Sequence, residues 1–349
     1  MILKQLSEAV GVSGKEDAVR DLILPAIRDH VTNIRIDPLG GISALKAGTG
    51  AGTTRVMIAA HMDEIGFVVR GIDSDGLIRF SPVGGVDERI LPGLRVRLGA
   101  NLLPGVIIWT PIHQNRDQNA VKISSLRIDI GAVNKEEAAG KISPGDLVAF
   151  ESAFLELGGG MLRGKSFDDR VGCSLLIDVL QSEAYPVDVL AAFTVQEEIG
   201  LRGARVAAQR LNPDLALILE GTTAHDVPNP NSTLDDDTGV NPTCRVTGGP
   251  ALSFMDRSMI AHPGLLAALK ETAEAAGIPY QYKTQLGGGT DGGAVHVSNT
   301  GVPTAVISMP CRYIHSPTAL LHQADYDATL ALIKAFLHRL PALDLRASH

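Results

Sequence analysis

Cysteine is scarce in this sequence: Cys173, Cys244 and Cys311 are widely spaced and odd in number. They offer no disulfide framework and no CxxC metal pattern, which fits a reducing compartment. No apolar run reaches the roughly 18 residues needed to cross a bilayer. The amphipathic start, with Lys4 and Glu8, lacks the basic and apolar regions of a secretory leader. A cytoplasmic protein with no membrane partner is the expectation. Positive charge is in deficit, 31 Lys and Arg against 39 Asp and Glu, giving a net charge of -8. That balance argues against nucleic acid as a partner. Neither HExxH nor GxSxG occurs, so a one-helix zinc protease and a nucleophile-elbow hydrolase are disfavoured.

What is present is a globular chain of 349 residues, 45% hydrophobic, long enough for one large domain or two. Residues 1–32 read as helical, with Ser13 as N-cap and Glu16 at the capping-box spacing. Strands are expected at 34–37, 42–46 and 54–60. Between 67 and 162 the texture changes to short β-like runs at 67–69, 77–80, 94–98, 106–109, 128–130 and 147–150, punctuated by Gly, Pro and Asp. From 167 onward helices (169–182, 202–210, 264–276, 324–340) alternate with apolar strands (187–195, 215–219, 303–308). This pattern predicts an α/β fold, a mainly parallel sheet with helices on both faces, interrupted by a β-rich, barrel-like domain. The main domain is expected over 1–66 and 163–349, and the insertion over 67–162.

Four of the apolar runs finish in histidine or glutamate. His61 follows one, Glu197 and Glu198 another, and Glu220 a third, while His315 comes shortly after the last. In open α/β sheets ligands bind beyond the strand carboxyl ends. Asp168 opens a helix and joins them. Two imidazoles and three carboxylates suit zinc, cobalt or manganese. A carboxylate shared between two ions makes a two-metal site, and Asp168 is the natural bridge between equivalent halves. Of Glu197 and Glu198, one is expected to bind metal and its neighbour to carry protons. Asp63 is placed to accept the His61 imidazole N–H and fix its tautomer.

Two glycine motifs compete for attention. Gly159 to Ser166 fits the phosphate-loop pattern GxxxxGK[ST], and a strand-like run precedes it while a helix follows. Asp168 and Asp169 stand where a triphosphate would sit, so an NTP-binding protein is disfavoured. Gly287-Gly288-Gly289-Thr290-Asp291-Gly292 matches GxGxxG by letter without a βαβ context, and reads better as a tight loop near a pocket. His113, His225, His262 and His296 show no partner pattern.

Four segments carry a family resemblance: Ala60-His61-Met62-Asp63-Glu64-Ile65-Gly66, Gly164-Lys165-Ser166-Phe167-Asp168-Asp169-Arg170, Gln196-Glu197-Glu198-Ile199-Gly200 and Arg312-Tyr313-Ile314-His315-Ser316-Pro317. Together with residues 6–14 and the Gly289-Thr290-Asp291 loop, they resemble the M42 family of metallo-aminopeptidases over nearly the whole chain. The resemblance implies a catalytic α/β domain interrupted by a dimerisation domain, with dimers assembling into larger, often dodecameric particles. It implies two divalent ions, with zinc or cobalt expected first and manganese as a further fit. His61, Asp168 and Glu220 would hold one ion, and Asp168, Glu198 and His315 the other. Glu197 would be the general base that activates water against the N-terminal bond of short peptides, with Asp63 in support. The family most often carries aspartate at the position of Glu220. An endoglucanase, a name older usage attaches to relatives, is disfavoured because a glycosidase needs two carboxylates and no metal. A non-catalytic scaffold is the remaining alternative.

Overall fold

The structure, a computed structural model, describes residues 2–50, 54–110, 121–227 and 244–342; His113 lies outside them. Eight strands build one sheet in the spatial order Thr32–Ile36, Ile42–Lys46, Asp188–Thr194, Arg55–His61, Leu215–Thr223, Thr304–Cys311, Ala251–Ser253, Gln281–Lys283. The three central pairings among Asp188–Thr194, Arg55–His61, Leu215–Thr223 and Thr304–Cys311 are parallel, and antiparallel pairings join the outer strands to them. These central strands are apolar almost throughout because both faces are covered. Along Arg55–His61, Val56, Ile58 and Ala60 pack towards the helices Asp17–Ile27, Phe167–Gln181, Pro263–Ala276 and Gln323–Arg339. Met57 and Ala59 face the opposite layer, where Ala204, Ala207 and Ala208 of Arg202–Leu211 and Val295 of Gly292–Val295 lie.

The stretch after His61 leaves this sheet and closes on itself. Gly66–Ile72, Ile78–Val83, Arg127–Asp129, Leu103–Ile108, Arg95–Leu98 and Leu147–Phe150 form an antiparallel barrel in that order around the ring. All six β-like runs seen in the sequence overlap these strands. The barrel has its own core, in which Phe67 meets Phe80 and Phe150 edge to face at centroid separations of 5.0 and 5.4 Å. Closure removes the free edges that an open six-stranded sheet would leave. The chain then returns through Leu155–Glu156 and Met161–Gly164, which join Ala319–His322 in a small three-stranded sheet. No helix among the described residues is long and apolar enough to cross a membrane.

The N-terminal reading needs correction. Residues 1–32 hold two helices, Leu3–Glu8 and Asp17–Ile27, with the start of the first sheet strand at Thr32. Between the helices Val12 makes a parallel bridge to Glu64, and Gly14 turns at φ +89. Ser13 caps nothing, because its hydroxyl donates to Asp63 at 2.6 Å. Glu16 occupies the N-cap, and its carboxylate accepts from the N–H of Gly14 at 2.7 Å. Helix capping gave way here to bonds that reach the strand ends. The strands also run further than their apolar runs: His61 and Glu220 lie inside strands, paired with Thr194 and Ser308.

Candidate metal centre

The five residues expected as ligands meet at the carboxyl ends of the parallel strands. Asp168 lies between the two histidines, with one oxygen 3.1 Å from His61 Nε2 and the other 3.2 Å from His315 Nε2. Glu220 approaches the His61 nitrogen at 3.4 Å, and Glu198 approaches the His315 nitrogen at 3.3 Å. Two half-sets result, each with one imidazole and one private carboxylate, joined by Asp168.

Both rings are aimed by backbone. His61 Nδ1 lies 3.1 Å from the carbonyl of Asp63, and His315 Nδ1 lies 2.9 Å from the carbonyl of Gly85, beside the barrel. An Nδ1–H that donates to a carbonyl leaves the Nε2 lone pair facing the carboxylates. The insertion thus helps orient one of the two histidines. The Asp63 carboxylate, expected to do this for His61, stands 3.4 Å from the same nitrogen, slightly further than its own carbonyl. Its shorter bonds go elsewhere, to the backbone N–H of Glu197 at 2.9 Å and of Glu198 at 3.2 Å.

That turn needs holding. After the strand Asp188–Thr194 the backbone enters the left-handed region at Gln196 (φ 56) and again at Leu201 (φ 56), before the helix Arg202–Leu211 begins. Gly203 closes the turn from below, since a Cβ there would stand 2.5 Å from the backbone nitrogen of Val195. From above, Asp63 takes two N–H groups and Glu16 takes that of Gln196 at 3.2 Å. The turn presents Glu198 to His315 and leaves Glu197 facing the chamber; no hydrogen bond from the described residues reaches the Glu197 carboxylate.

The electrostatics call for cations. Burial pushes the carboxyl of Glu197 well above the ordinary glutamate range, and Glu220, Asp291 and Glu198 push the same way against His61. Glu220 is raised well above it too, by burial and then by Asp168. Burial opposes a charge on His315, yet Asp168 and Glu198 outweigh it and push the imidazole up to about 11. Five acids, Asp168, Asp169, Glu197, Glu198 and Glu220, thus crowd two imidazoles, and such a cluster is costly unless positive charge answers it. Two groups of donor atoms lie within 4.8 Å of one another, one of His61, Asp168 and Glu198 and one of His61, Asp169 and Glu220; they share His61 and divide the carboxylates differently from the half-sets above. Imidazole nitrogen with carboxylate oxygen suits zinc, cobalt or manganese. The residues present therefore fit a pair of divalent ions.

Several residues of the site stood in motifs of the sequence without the roles that the structure gives them. Asp169 accepts from the backbone N–H of His61 at 3.1 Å and of Gly172 at 3.0 Å, fixing strand and helix together. Asp291 accepts from the Thr194 hydroxyl, its other oxygen is buried with no partner, and burial pushes it up to about 6. Lys165 is no phosphate ligand: its ammonium is buried against both Glu64 oxygens at 2.6 and 2.7 Å and the Ala9 carbonyl at 3.0 Å. Arg170 donates to the carbonyls of Met62, Ala9 and Gly11, so the Glu64–Lys165–Arg170 cluster ties the His61 loop to the Asp168 turn.

The site opens on a chamber of about 1080 Å³ lined by Asp168, Glu197, Glu198, Glu220 and His315 on one side. The glycine loop Gly287-Gly288-Gly289 and, from the barrel side, Ile90 and Leu94 complete much of the wall. The tight-loop reading of 287–292 agrees with this placement.

Comparison with known proteins points the same way. A family model described as M42 glutamyl aminopeptidase matches residues 40–332. The chain is 34% identical to a glutamyl aminopeptidase of Lactococcus lactis, covering 96% of this chain and 94% of that protein. It is 33% identical to a lysyl aminopeptidase of Pyrococcus furiosus, covering 98% of each. Among solved structures, an aminopeptidase from Desulfurococcus kamchatkensis is similar with a TM-score of 0.90 and 37% identity, over 97% of this chain and 93% of that one. The Pyrococcus horikoshii TET1 peptidase, which can assemble into a tetrahedron or a large octahedral shell, is similar with a TM-score of 0.83 and 32% identity, over 96% and 98% of the two chains.

Proposed function

The chain belongs to the M42 glutamyl aminopeptidase family, and on that premise we propose how this aminopeptidase works and what it holds. It binds two divalent ions, zinc or cobalt with manganese a further fit. His61, Asp168 and Glu220 hold one, and Asp168, Glu198 and His315 hold the other. The observation that carries this reading is Asp168 itself, whose two oxygens face two different imidazole nitrogens at 3.1 and 3.2 Å. When bound, such ions supply Lewis acidity that polarises a carbonyl and makes water more acidic.

Glu197 does the proton work. It lies beside both half-sets, lines the chamber, and is not itself in contact with either imidazole. As general base it takes a proton from the attacking water, and as general acid it passes that proton to the departing amine. Burial and the neighbouring acids favour the protonated form of this carboxyl, which suits the half of the cycle in which it gives a proton back. Asp63 and Glu16 keep its backbone turn in register. The acidic wall accommodates the free α-amine of the substrate, which confines cleavage to the N-terminal residue of short peptides.

The barrel, within residues 67–162, serves as the dimerisation domain, and the dimers assemble further as the TET1 relative does. Nucleotide binding is opposed by the buried Glu64–Lys165 pair, and a glycosidase by the imidazole that faces each private carboxylate. The test is a panel of aminoacyl-p-nitroanilides assayed after chelation and after readdition of zinc, cobalt or manganese. Release of p-nitroaniline that is lost on chelation and restored by metal is the expected result. Undiminished release in the chelated protein would remove the two-ion reading.

A further inference from the structure

Ser308 is fully buried in the strand Thr304–Cys311, and among the described residues its hydroxyl has no hydrogen-bond partner. A buried hydroxyl left without a partner is destabilising, so its presence calls for a reason. Its place in the sheet supplies one. Leu215–Thr223 and Thr304–Cys311 pair in parallel, with Ile218 beside Val306 and Glu220 beside Ser308. Ile218 and Val306 both pack into the layer that holds Ala204 and Val295. Strand alternation puts the residues two places further on, Glu220 and Ser308, on that same face. Neighbouring strands run about 4.7–4.9 Å apart, so the glutamate arm can bring a carboxylate oxygen to the serine hydroxyl. The other residues around Ser308 on this face offer little. Across the next strand it pairs with Ala251, and two places either side on its own strand stand Val306 and Pro310. Thr222 is a diagonal neighbour, about 7–8 Å away.

Glu220 itself is held at one point only. Its Oε1 accepts from the backbone N–H of Gly221 at 3.1 Å and faces His61 Nε2 at 3.4 Å, so both contacts fall on the same oxygen. A carboxylate that serves a metal ion is ordinarily aimed by a hydrogen bond of its own, and a donor beside it raises the affinity of the site. We propose that Ser308 is a positioning residue for the His61 half-set: its hydroxyl donates to the Glu220 carboxylate when Glu220 holds an ion. The serine binds no ion and touches no substrate; it acts through Glu220 by fixing the last torsion of a long arm. The proposal rests on the two-ion reading above and adds a residue outside the ligand sets. His315 and Glu198, on the far side of Asp168, do not depend on it.

The test measures zinc affinity and stability rather than turnover. The chelated full chain is titrated with zinc in competition with a chromogenic chelator, and chelated and zinc-loaded forms are melted. Ser308→Ala should weaken one of the two zinc-binding steps by about 10- to 100-fold, the usual effect of removing a partner of a metal ligand. The weakened step should be the one that Glu220→Gln also weakens, and the other should stay as in wild type. The chelated Ala variant should melt at or above the wild-type temperature, because alanine removes a hydroxyl that had no partner. Ser308→Thr keeps the hydroxyl and should keep most of the affinity. Unchanged zinc affinities in the Ala variant overturn the proposal, as does weakening confined to the step that Glu220→Gln spares. A chelated Ala variant that melts below wild type overturns it too, since the serine would then be merely structural. So does a folded Thr variant as weak as Ala. Wild type that takes up fewer than two zinc ions per chain overturns the two-ion reading itself, and this proposal with it.

Discussion

The carboxylate of Asp63 accepts the backbone N–H of Glu197 at 2.9 Å, which makes the residue two places after one histidine the anchor of the turn that bears the proposed proton carrier. Its second oxygen takes the N–H of Glu198 at 3.2 Å and the Ser13 hydroxyl at 2.6 Å. Asp63→Asn exchanges one acceptor oxygen for an N–H that faces other donors. The turn should shift, and kcat should fall about 100-fold, the usual cost of a catalytic group displaced by about 1 Å. KM should move little. Steady-state kinetics decide the matter, and a full kcat in the variant would show that the anchor is dispensable.

Glu197→Gln keeps the shape of the side chain and removes its basicity. We expect kcat to drop by about 10²- to 10⁴-fold, the range of general acid–base catalysis. Elemental analysis should still find two ions per chain, since Glu197 touches neither imidazole. Near-normal turnover with both ions bound would be incompatible with Glu197 as proton carrier.

Metal removal should destabilise the fold as well as silence it, because the crowded acids then repel each other unanswered. Binding at a free-ion concentration of 100 times Kd contributes about 2.7 kcal/mol per site. Calorimetric melting should therefore show a lower Tm after chelation and recovery with zinc or cobalt. Asp168→Asn should lower the ion content of both half-sets, whereas Glu220→Gln should affect mainly one. An unaltered Tm and full ion content in Asp168→Asn would contradict a shared bridge.

Lys165 can be tested against the phosphate-loop reading. Lys165→Met leaves the Glu64 carboxylate buried beside Arg170 alone, and loss of one partner of a buried ion pair costs about 3–5 kcal/mol. Denaturant unfolding should register that loss. Calorimetric titration of wild type with ATP should show no binding, and micromolar affinity there would reopen the nucleotide question.

Glu16 supplies a pH dependence. Burial pushes its carboxyl from 4.5 up to about 7, partly offset by the N–H of Gly14. Between those values the folded chain keeps a proton that the unfolded chain has released. The contribution to stability is therefore full below about pH 4.5 and is lost as pH rises through about 7. The slope approaches about 1.4 kcal/mol per pH unit, or about 3 kcal/mol in all. Glu16→Gln should flatten this slope. Urea unfolding at pH 5 and pH 7.5 would show it, and parallel slopes in variant and wild type would rule the group out.

The α/β frame and the barrel were legible because each buried strand is an apolar run, and because the barrel strands carry turn residues at short intervals. The candidate ligands could be picked out because they stand at or just beyond the ends of those runs. Strand bounds were not: pairing carried His61 and Glu220 inside their strands, although their polarity argued for loops. Ser13 misled for the opposite reason, since a local cap and a bond to Asp63, 50 residues away, look alike in sequence. The surroundings of Asp291 stayed hidden although its loop was marked, because only the folded chain shows one of its oxygens on Thr194 and the other buried without a hydrogen bond among the described residues.

The barrel's place between Arg55–His61 and the sheet's later strands has a consequence for the order of events at the ribosome. Arg55–His61 is central to the sheet, yet its two neighbours, Asp188–Thr194 and Leu215–Thr223, are synthesised long after it. At about 5–20 residues per second, an apolar strand waits on the order of 10 seconds for its partners. The barrel meanwhile pairs its strands locally and can close first. The nascent chain thus presents a finished, edge-free module next to a strand still unpaired on both sides. That interval is when it has most need of a chaperone.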